Sequence, residues 1–198
     1  MNHDAGLVLP NSLTAVFESR CTAHSDRLAY VFLKDDLSPA EHLSYGDLSI
    51  DCHRLAARLG ALARPGERVL LALPPGLDFV RAFWACVLCG CVAVPVPAPD
   101  PVRLLRSAPR LRGILEDTGA ALVWTAADLL DSARQVLEPS LFAAARWISS
   151  VELETSDPGM PGQLPFVDAD ALAYLQYTSG STLAPRGVRI SHGQALAN

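Results

Sequence analysis

Apolar residues recur along this chain with two periods, one typical of amphipathic helices and one typical of buried strands. In the clearest helical repeat, five apolar residues are spaced by three and four positions, while Asp51, Arg54 and Arg58 lie off that stripe. The repeat consists of Leu48, Cys52, Leu55, Leu59 and Leu62. It stops at Arg64-Pro65-Gly66, which predicts the end of a helix that buries one face.

Short, continuous apolar runs follow, and these are typical of strands that are buried on both faces. The first two runs, Arg68–Leu73 and Val92–Val96, flank an apolar helical segment over Leu77–Cys89. A strand, a helix and a strand at this spacing are what a right-handed parallel crossover needs. With further strands over Ala121–Thr125 and Arg146–Ser149, the pattern predicts an α/β fold with a mostly parallel sheet and flanking helices.

Before these runs, the pattern predicts a helix and a hairpin-like pair of strands. The helix should cover Ser12–His24, with Leu13, Val16, Phe17 and Cys21 on one face. The strands should cover Leu28–Lys34 and Glu41–Tyr45, with residues 35–40 as their connection.

For two later helices, the sequence predicts where the first is broken and how the second begins. Pro109 should divide the helical pattern around it into two short helices, at about 102–107 and 110–118. A helix over Ala126–Leu137 should be capped by Thr125, since threonine is a favoured N-cap residue.

The whole chain, residues 1–198, is predicted to form one compact domain or, as the alternative, two small subdomains. Met1–Asn11 should be a flexible tail, and the polar stretch Glu152–Gln163, rich in Gly and Pro, should be a surface linker. Half of the residues are hydrophobic and 19% are charged, which excludes a disordered protein.

Charge and hydropathy narrow the class of partner. The net charge is −5 and no basic stripe with interleaved aromatics occurs, so nucleic acid is not expected as a partner. The uncharged segment Ala82–Ala98 is interrupted by Gly90, Pro95 and Pro97 and falls short of the ~20 residues that a membrane span needs. With no signal peptide pattern at the N-terminus, we expect a soluble, cytoplasmic protein without a membrane span.

The acidic and sulfur-bearing clusters do not form a convincing metal site. Cys86-x-x-Cys89-x-Cys91 lies in an apolar run without a second cysteine pair, which favours buried, reduced core thiols. Asp168 and Asp170 could suggest a metal, but a solvated approach to the next strand is the favoured interpretation. No metal ligand is therefore predicted.

The richest chemistry lies near the end of the chain, in a strand–loop–strand–helix pattern. Between strands over Tyr174–Tyr177 and Val188–Ile190, the loop carries four hydroxyls, two glycines, a proline and an arginine. Glycines let backbone N–H groups approach a ligand, and hydroxyls and a guanidinium can donate to phosphate oxygens. The residues with these roles are Thr178, Ser179, Gly180, Ser181, Thr182, Arg186 and Gly187.

Composition alone also fits an ordinary polar hairpin loop, because Ser, Thr, Gly and Pro are common in turns. A G-x-x-x-x-G-K-[ST] nucleotide loop is excluded, since Gly180 and Gly187 are too widely spaced and no Lys-Ser/Thr follows. After the second strand, Ser191 and Gln194 predict a capping box, and His192 is either a residue that lines the site or a surface or packing histidine.

The order of residues in this loop resembles the signature [ST]-S-G-[ST]-T-G-x-P-K-G of adenylate-forming enzymes. Leu183 replaces the glycine and Arg186 the lysine of that signature, and these departures resemble the fatty acyl-AMP ligase branch. A second block, from Arg68 through Ala82-Phe-Trp-Ala-Cys to Val96-Pro97, is similar to the same branch.

The resemblance implies an enzyme that joins a fatty acid to ATP with Mg²⁺, releases pyrophosphate, and passes the acyl group to an acyl carrier protein. It implies that Thr178–Thr182, Arg186 and Gly187 hold the β- and γ-phosphates, with Thr182 as the best single candidate for a direct contact.

No catalytic residue is expected in this chain, because family members are much longer. We therefore expect an N-terminal piece with little or no ligase activity alone. An acyl-CoA synthetase, another carboxylate adenylation domain or a noncatalytic interaction module remain alternatives.

Overall fold

The computed structural model describes residues 10–33, 36–98, 104–157, 164–177 and 186–197. Its described strands are β1 (Leu28–Leu33), β2 (Pro39–Ser44), β3 (Arg68–Ala72), β4 (Val92–Pro95), β5 (Leu122–Thr125), β6 (Arg146–Ser149), β7 (Leu172–Tyr177) and β8 (Gly187–Ser191). Its described helices are α1 (Leu13–Ala23), α2 (Tyr45–Gly60), α3 (Leu77–Leu88), α4 (Leu104–Thr118), α5 (Ala127–Val136), α6 (Pro139–Ala143), α7 (Ser150–Thr155) and α8 (His192–Ala197).

The larger sheet has six strands in the order β6-β5-β3-β4-β7-β8, and β1 and β2 form a separate antiparallel pair. Among the described strands of this sheet, neighbours from β6 to β7 are parallel, and only β8 runs in the opposite direction. The predicted α/β fold with a mostly parallel sheet and flanking helices is confirmed.

The central strand β3 is buried on both faces, as its continuous apolar run predicts. Val69 and Leu71 belong to a core cluster that includes the apolar faces of α2 and α3. Leu70 and Ala72 point to the opposite cluster, which includes residues of α4 and α5. Burial of successive side chains on opposite faces explains why this strand lacks polar alternation.

The two short helices predicted around Pro109 are wrong, because α4 runs continuously from Leu104 to Thr118 with Pro109 inside. Proline removes one N–H from the helical ladder. Apolar residues on both sides of Pro109, Leu104 and Leu111 among them, are buried in the same core cluster. Burial on both sides of the proline favours one continuous helix over two.

The predicted linker Glu152–Gln163 is wrong in its first part, since α7 covers Ser150–Thr155. Ser149 and Glu152 form a capping box: the Glu152 N–H donates to Ser149 Oγ at 3.1 Å, and the Ser149 N–H donates to Glu152 Oε2 at 2.8 Å. Leu153 is fully buried in the core. Residues 158–163 of this stretch and residues 1–9 of the predicted tail lie outside the described residues.

Thr125 is not the predicted cap of the helix that follows it. The N-cap of α5 is Ala126, without a side-chain cap. The Thr125 hydroxyl instead donates to the carbonyl oxygen of Ala72 at 2.9 Å, on the neighbouring strand β3. Thr125 is fully buried, so its hydroxyl takes an acceptor within the sheet.

The cysteines are buried and unpaired, as the sequence predicts: Cys21, Cys52, Cys86, Cys89 and Cys91 are all free thiols. Among the described residues, we find no helix with the length and apolar character that crossing a bilayer requires.

Candidate functional site

The candidate site lies at the edge of the sheet where the parallel strands end. Strands β3, β4, β5 and β7 are parallel, so their carboxyl ends meet at this edge. Strand β8 returns antiparallel to β7, with Tyr177 opposite Gly187. Both flanks of the hydroxyl-rich segment therefore lie at the carboxyl edge, which is the usual position of ligands in such sheets.

The structure describes only part of the predicted site. Arg186 and Gly187 are described, the first exposed and the second partly buried. The other predicted phosphate contacts lie outside the described residues, so their roles stay predictions: Thr178, Ser179, Gly180, Ser181 and Thr182.

Gly187 packs directly against the ring of Tyr177. A Cβ atom on Gly187 would lie 2.8 Å from Cζ and 3.1 Å from the hydroxyl oxygen of Tyr177. The aromatic ring therefore covers the glycine across the strand pair, which is a way in which sheets compensate for a missing side chain. The sequence pointed to Gly187 as a phosphate contact, and the structure gives it this packing role at the base of the loop.

Tyr177 is in turn held by a residue far away in the sequence. Its hydroxyl donates a hydrogen bond to Oδ2 of Asp117, in the last turn of α4 and 60 residues earlier in the chain. Burial and the neighbouring Asp117 carboxylate raise the pKa of Tyr177, so the hydroxyl keeps the proton that it donates. Sequence reasoning missed this pair, because no local pattern relates positions so far apart.

His192 lies at the opposite end of the hairpin from the loop. Leu172 pairs with Ser191 at one end of β7 and β8, and Tyr177 pairs with Gly187 at the other. Leu172 and Tyr177 are five positions apart along β7, or roughly 16 Å. His192 is 1% exposed, so the interpretation of His192 as a packing residue is confirmed and its interpretation as a site-lining residue is wrong. The predicted capping box is also confirmed: the Ser191 N–H donates to Gln194 Oε1 at 2.9 Å, and the Gln194 N–H donates to Ser191 Oγ at 3.2 Å.

The same edge of the sheet contains a cavity of about 210 Å³ between the end of β4 and α4. Its walls are apolar except for Ser107 and Arg110, and the remaining residues that line it are Val96, Pro97, Ala98, Leu111 and Ile114. An apolar recess therefore lies beside the carboxyl ends of the strands.

No group of three or more His, Cys, Asp or Glu side chains in the described part of the chain is arranged to hold a metal. Asp168 and Asp170 are exposed, and the Asp170 N–H donates to Asp168 Oδ1 at 3.4 Å. Both aspartates precede β7 and so lie at the amino end of that strand, away from the predicted loop.

Comparison with known proteins connects this geometry to a family. The model of the AMP-binding enzyme family matches residues 17–198. The medium-chain-fatty-acid–[acyl-carrier-protein] ligase JamA of Moorena producens is 37% identical over 186 residues, which cover 92% of this chain and 31% of the relative. The long-chain-fatty-acid–AMP ligase FadD26 of Mycobacterium marinum is 28% identical, over 96% of this chain and 33% of the relative.

A solved structure gives the same result. The fatty acyl-adenylate ligase from L. pneumophila, in complex with acyl adenylate and pyrophosphate, has a TM-score of 0.77 and 32% identity. That match covers 93% of this chain and 31% of the ligase chain. The chain thus spans about a third of the length of the relatives it matches, and the resemblance that its two sequence blocks predict is confirmed. The chain belongs to the AMP-binding enzyme family.

Proposed function

We propose that this chain forms the polyphosphate-binding part of an enzyme that activates a fatty acid with ATP and passes the acyl group to an acyl carrier protein. The relative JamA is a ligase that joins a medium-chain fatty acid to an acyl carrier protein, which supports both the substrate class and the acceptor. The solved ligase that binds acyl adenylate and pyrophosphate supports the type of reaction.

One observation carries the proposal: the β7–β8 hairpin brings both flanks of the hydroxyl-rich segment to the carboxyl edge of the parallel sheet. At that edge, Arg186 is exposed. A guanidinium next to hydroxyls and glycine backbone suits a chain of phosphates, since charge-assisted hydrogen bonds to phosphate oxygens are short and strong.

In the proposed reaction, an oxygen of the fatty acid carboxylate attacks the α-phosphorus of ATP. A new P–O bond forms to the carboxylate, the bond to the β-phosphate oxygen breaks, and pyrophosphate leaves with the electron pair. Thr178–Thr182, Arg186 and Gly187 would hold the β- and γ-phosphates in line and stabilise the charge that develops on the leaving group. Mg²⁺, when bound to the phosphates, neutralises part of the same charge.

The proposal is tested by titrating the chain with pyrophosphate and with ATP, each with and without Mg²⁺, in a calorimeter. Arg186→Ala should weaken pyrophosphate binding at least about tenfold, the loss expected for a hydrogen bond to a charged group. Arg189→Ala is the matched control, because Arg189 is an exposed arginine further along β8, opposite Leu175. No pyrophosphate binding by the unaltered chain, or equal losses in the two variants, would overturn the proposal.

A further inference from the structure

The base of the proposed phosphate loop is formed by Tyr177, the last residue of β7, and Gly187, the first residue of β8. It contains a contact that helix stability does not explain. Asp117 lies in the last turn of α4, where the partial negative charge of the helix end disfavours a carboxylate. That turn contains no basic residue. The position of Asp117 is explained instead by the Tyr177 hydroxyl, which donates a hydrogen bond to it.

The helix that presents Asp117 is firmly attached to the sheet. Ile114 and Leu115 of α4 are buried in the core cluster, and Tyr177 packs against the same cluster. The Thr118 hydroxyl donates to the Ile114 carbonyl at 2.7 Å, and the Gly119 N–H donates to the Leu115 carbonyl at 2.9 Å, which closes the end of the helix. Asp117 is therefore held next to the end of β7 by a helix that packs against the core.

Tyr177 connects Asp117 to both flanks of the loop. It is the last residue of β7, so the loop begins immediately after it. Its ring also lies against Gly187, the first residue of β8, so that a Cβ atom on Gly187 would lie 2.8 Å from Cζ of the ring. One aromatic ring thus contacts the strand that enters the loop and the strand that leaves it.

We propose that Asp117 and Tyr177 are positioning residues that hold the base of the loop against α4 and so set the affinity of the loop for polyphosphate. This inference rests on the proposed function, because it concerns the same site. The pair acts through the loop and contacts no phosphate itself.

A purely electrostatic role and a positioning role of Asp117 predict opposite changes in pyrophosphate affinity when the carboxylate is removed. A carboxylate near an anion site repels the anion, so its loss alone should tighten pyrophosphate binding. If the carboxylate positions the loop through Tyr177, Asp117→Ala should weaken binding in spite of the lost negative charge. Glu116→Ala is the matched control, because Glu116 is the adjacent exposed acid in the same turn of α4.

The experiment measures pyrophosphate affinity by calorimetry and amide hydrogen exchange over residues 176–188 by mass spectrometry. Tyr177→Phe and Asp117→Ala should each weaken binding about fivefold, as expected for the loss of one hydrogen bond of about 1 kcal/mol. Exchange over residues 176–188 should accelerate by a similar factor, while strand β3 stays protected. The double variant should be no weaker than either single one, because both changes remove one interaction.

Asp117→Asn keeps an acceptor oxygen for the Tyr177 hydroxyl and should bind pyrophosphate as well as the unaltered chain or better. The inference is overturned if Asp117→Asn is as weak as Asp117→Ala, if both single variants bind and exchange normally, or if binding falls only in proportion to a loss of folded protein. Should the unaltered chain fail to bind pyrophosphate, the proposed function fails. The exchange data then decide alone whether the pair holds the base of the loop.

Discussion

The backbone N–H of Leu13 donates a hydrogen bond to Nδ1 of His192, 3.3 Å away, and so joins α1 to α8. The first N–H groups of a helix have no partner within the helix, and His192 supplies one for α1. The acceptor must be an unprotonated nitrogen. The contact between these two helices therefore depends on the protonation state of a buried imidazole.

We predict that this contact makes the chain less stable in mild acid. Burial lowers the pKa of His192 below its ordinary value of 6.5. Above that value both the folded and the unfolded chain hold a neutral imidazole, and as the pH falls below it the unfolded chain binds the proton first. The free energy of unfolding should therefore fall between pH 7.5 and 5.5, with His192 contributing at most about 1.4 kcal/mol.

Urea denaturation of the unaltered chain and of His192→Asn at both pH values isolates this contribution. Asparagine has an acceptor oxygen near the position of Nδ1 and does not titrate, so the variant should lose less stability on acidification. Every other ionisable group is common to both proteins, so its contribution cancels in the difference. Equal slopes with pH would contradict the assignment.

A second prediction concerns α7, where the sequence indicated a linker. Leu153→Ala should lower the free energy of unfolding by about 2–4 kcal/mol, the range for removing a buried leucine side chain from a packed core. Val151→Ala in the same helix is the control, because Val151 is 57% exposed and its change should cost under about 1 kcal/mol. Comparable losses in the two variants would mean that α7 does not pack as described.

The sequence predicted the elements whose signal is local. Leu48, Cys52, Leu55 and Leu59 recur with the period of a helix, and all four are buried on one face of α2. The apolar run from Arg68 likewise becomes the central strand, because a strand covered on both faces needs apolar residues at every position.

The features that local sequence patterns did not predict depend on contacts between distant positions. The hydrogen bond of Tyr177 to Asp117 crosses 60 residues, and neither residue shows a pattern that points to the other. Thr125 has the local character of a cap, yet its hydroxyl donates to the carbonyl oxygen of Ala72 on a neighbouring strand. Local preferences are weak priors that tertiary contacts override, as at Pro109 within α4.

A third prediction is that the cysteines are chemically inert in the folded chain. Burial raises the pKa of the Cys86 and Cys52 thiols far above the usual range, and the hydrogen bond with Cys89 and burial do the same for Cys91. The thiolate is the reactive species, so Ellman's reagent at pH 8 should react only slowly with the native protein. In 6 M guanidinium, a concentration expected to unfold the chain, it should react rapidly with all five thiols. Rapid reaction of several thiols in the native state would show that these positions are accessible.

The last prediction concerns Gly90, which joins α3 to β4 at the amino edge of the sheet. Its φ is +74°, a left-handed conformation that costs a residue with a side chain roughly 1–2 kcal/mol. A Cβ there would also lie 3.1 Å from Cγ of Pro165 and 3.3 Å from Cβ of Pro65. The Gly90 carbonyl accepts a hydrogen bond from the Gly66 N–H at 2.8 Å, so the backbone has little freedom to move away.

Gly90→Ala should therefore lower the free energy of unfolding by at least about 1 kcal/mol, measured by urea denaturation. Gly60→Ala is the matched control: Gly60 is the last residue of α2, and nothing lies within 4 Å of the position that its Cβ would take. That change should stabilise the chain by about 0.5–1 kcal/mol, since alanine loses less backbone freedom on folding. The same substitution should thus have opposite signs at two positions, and a loss of equal size at both would show that the left-handed backbone and the two prolines do not determine the result at Gly90.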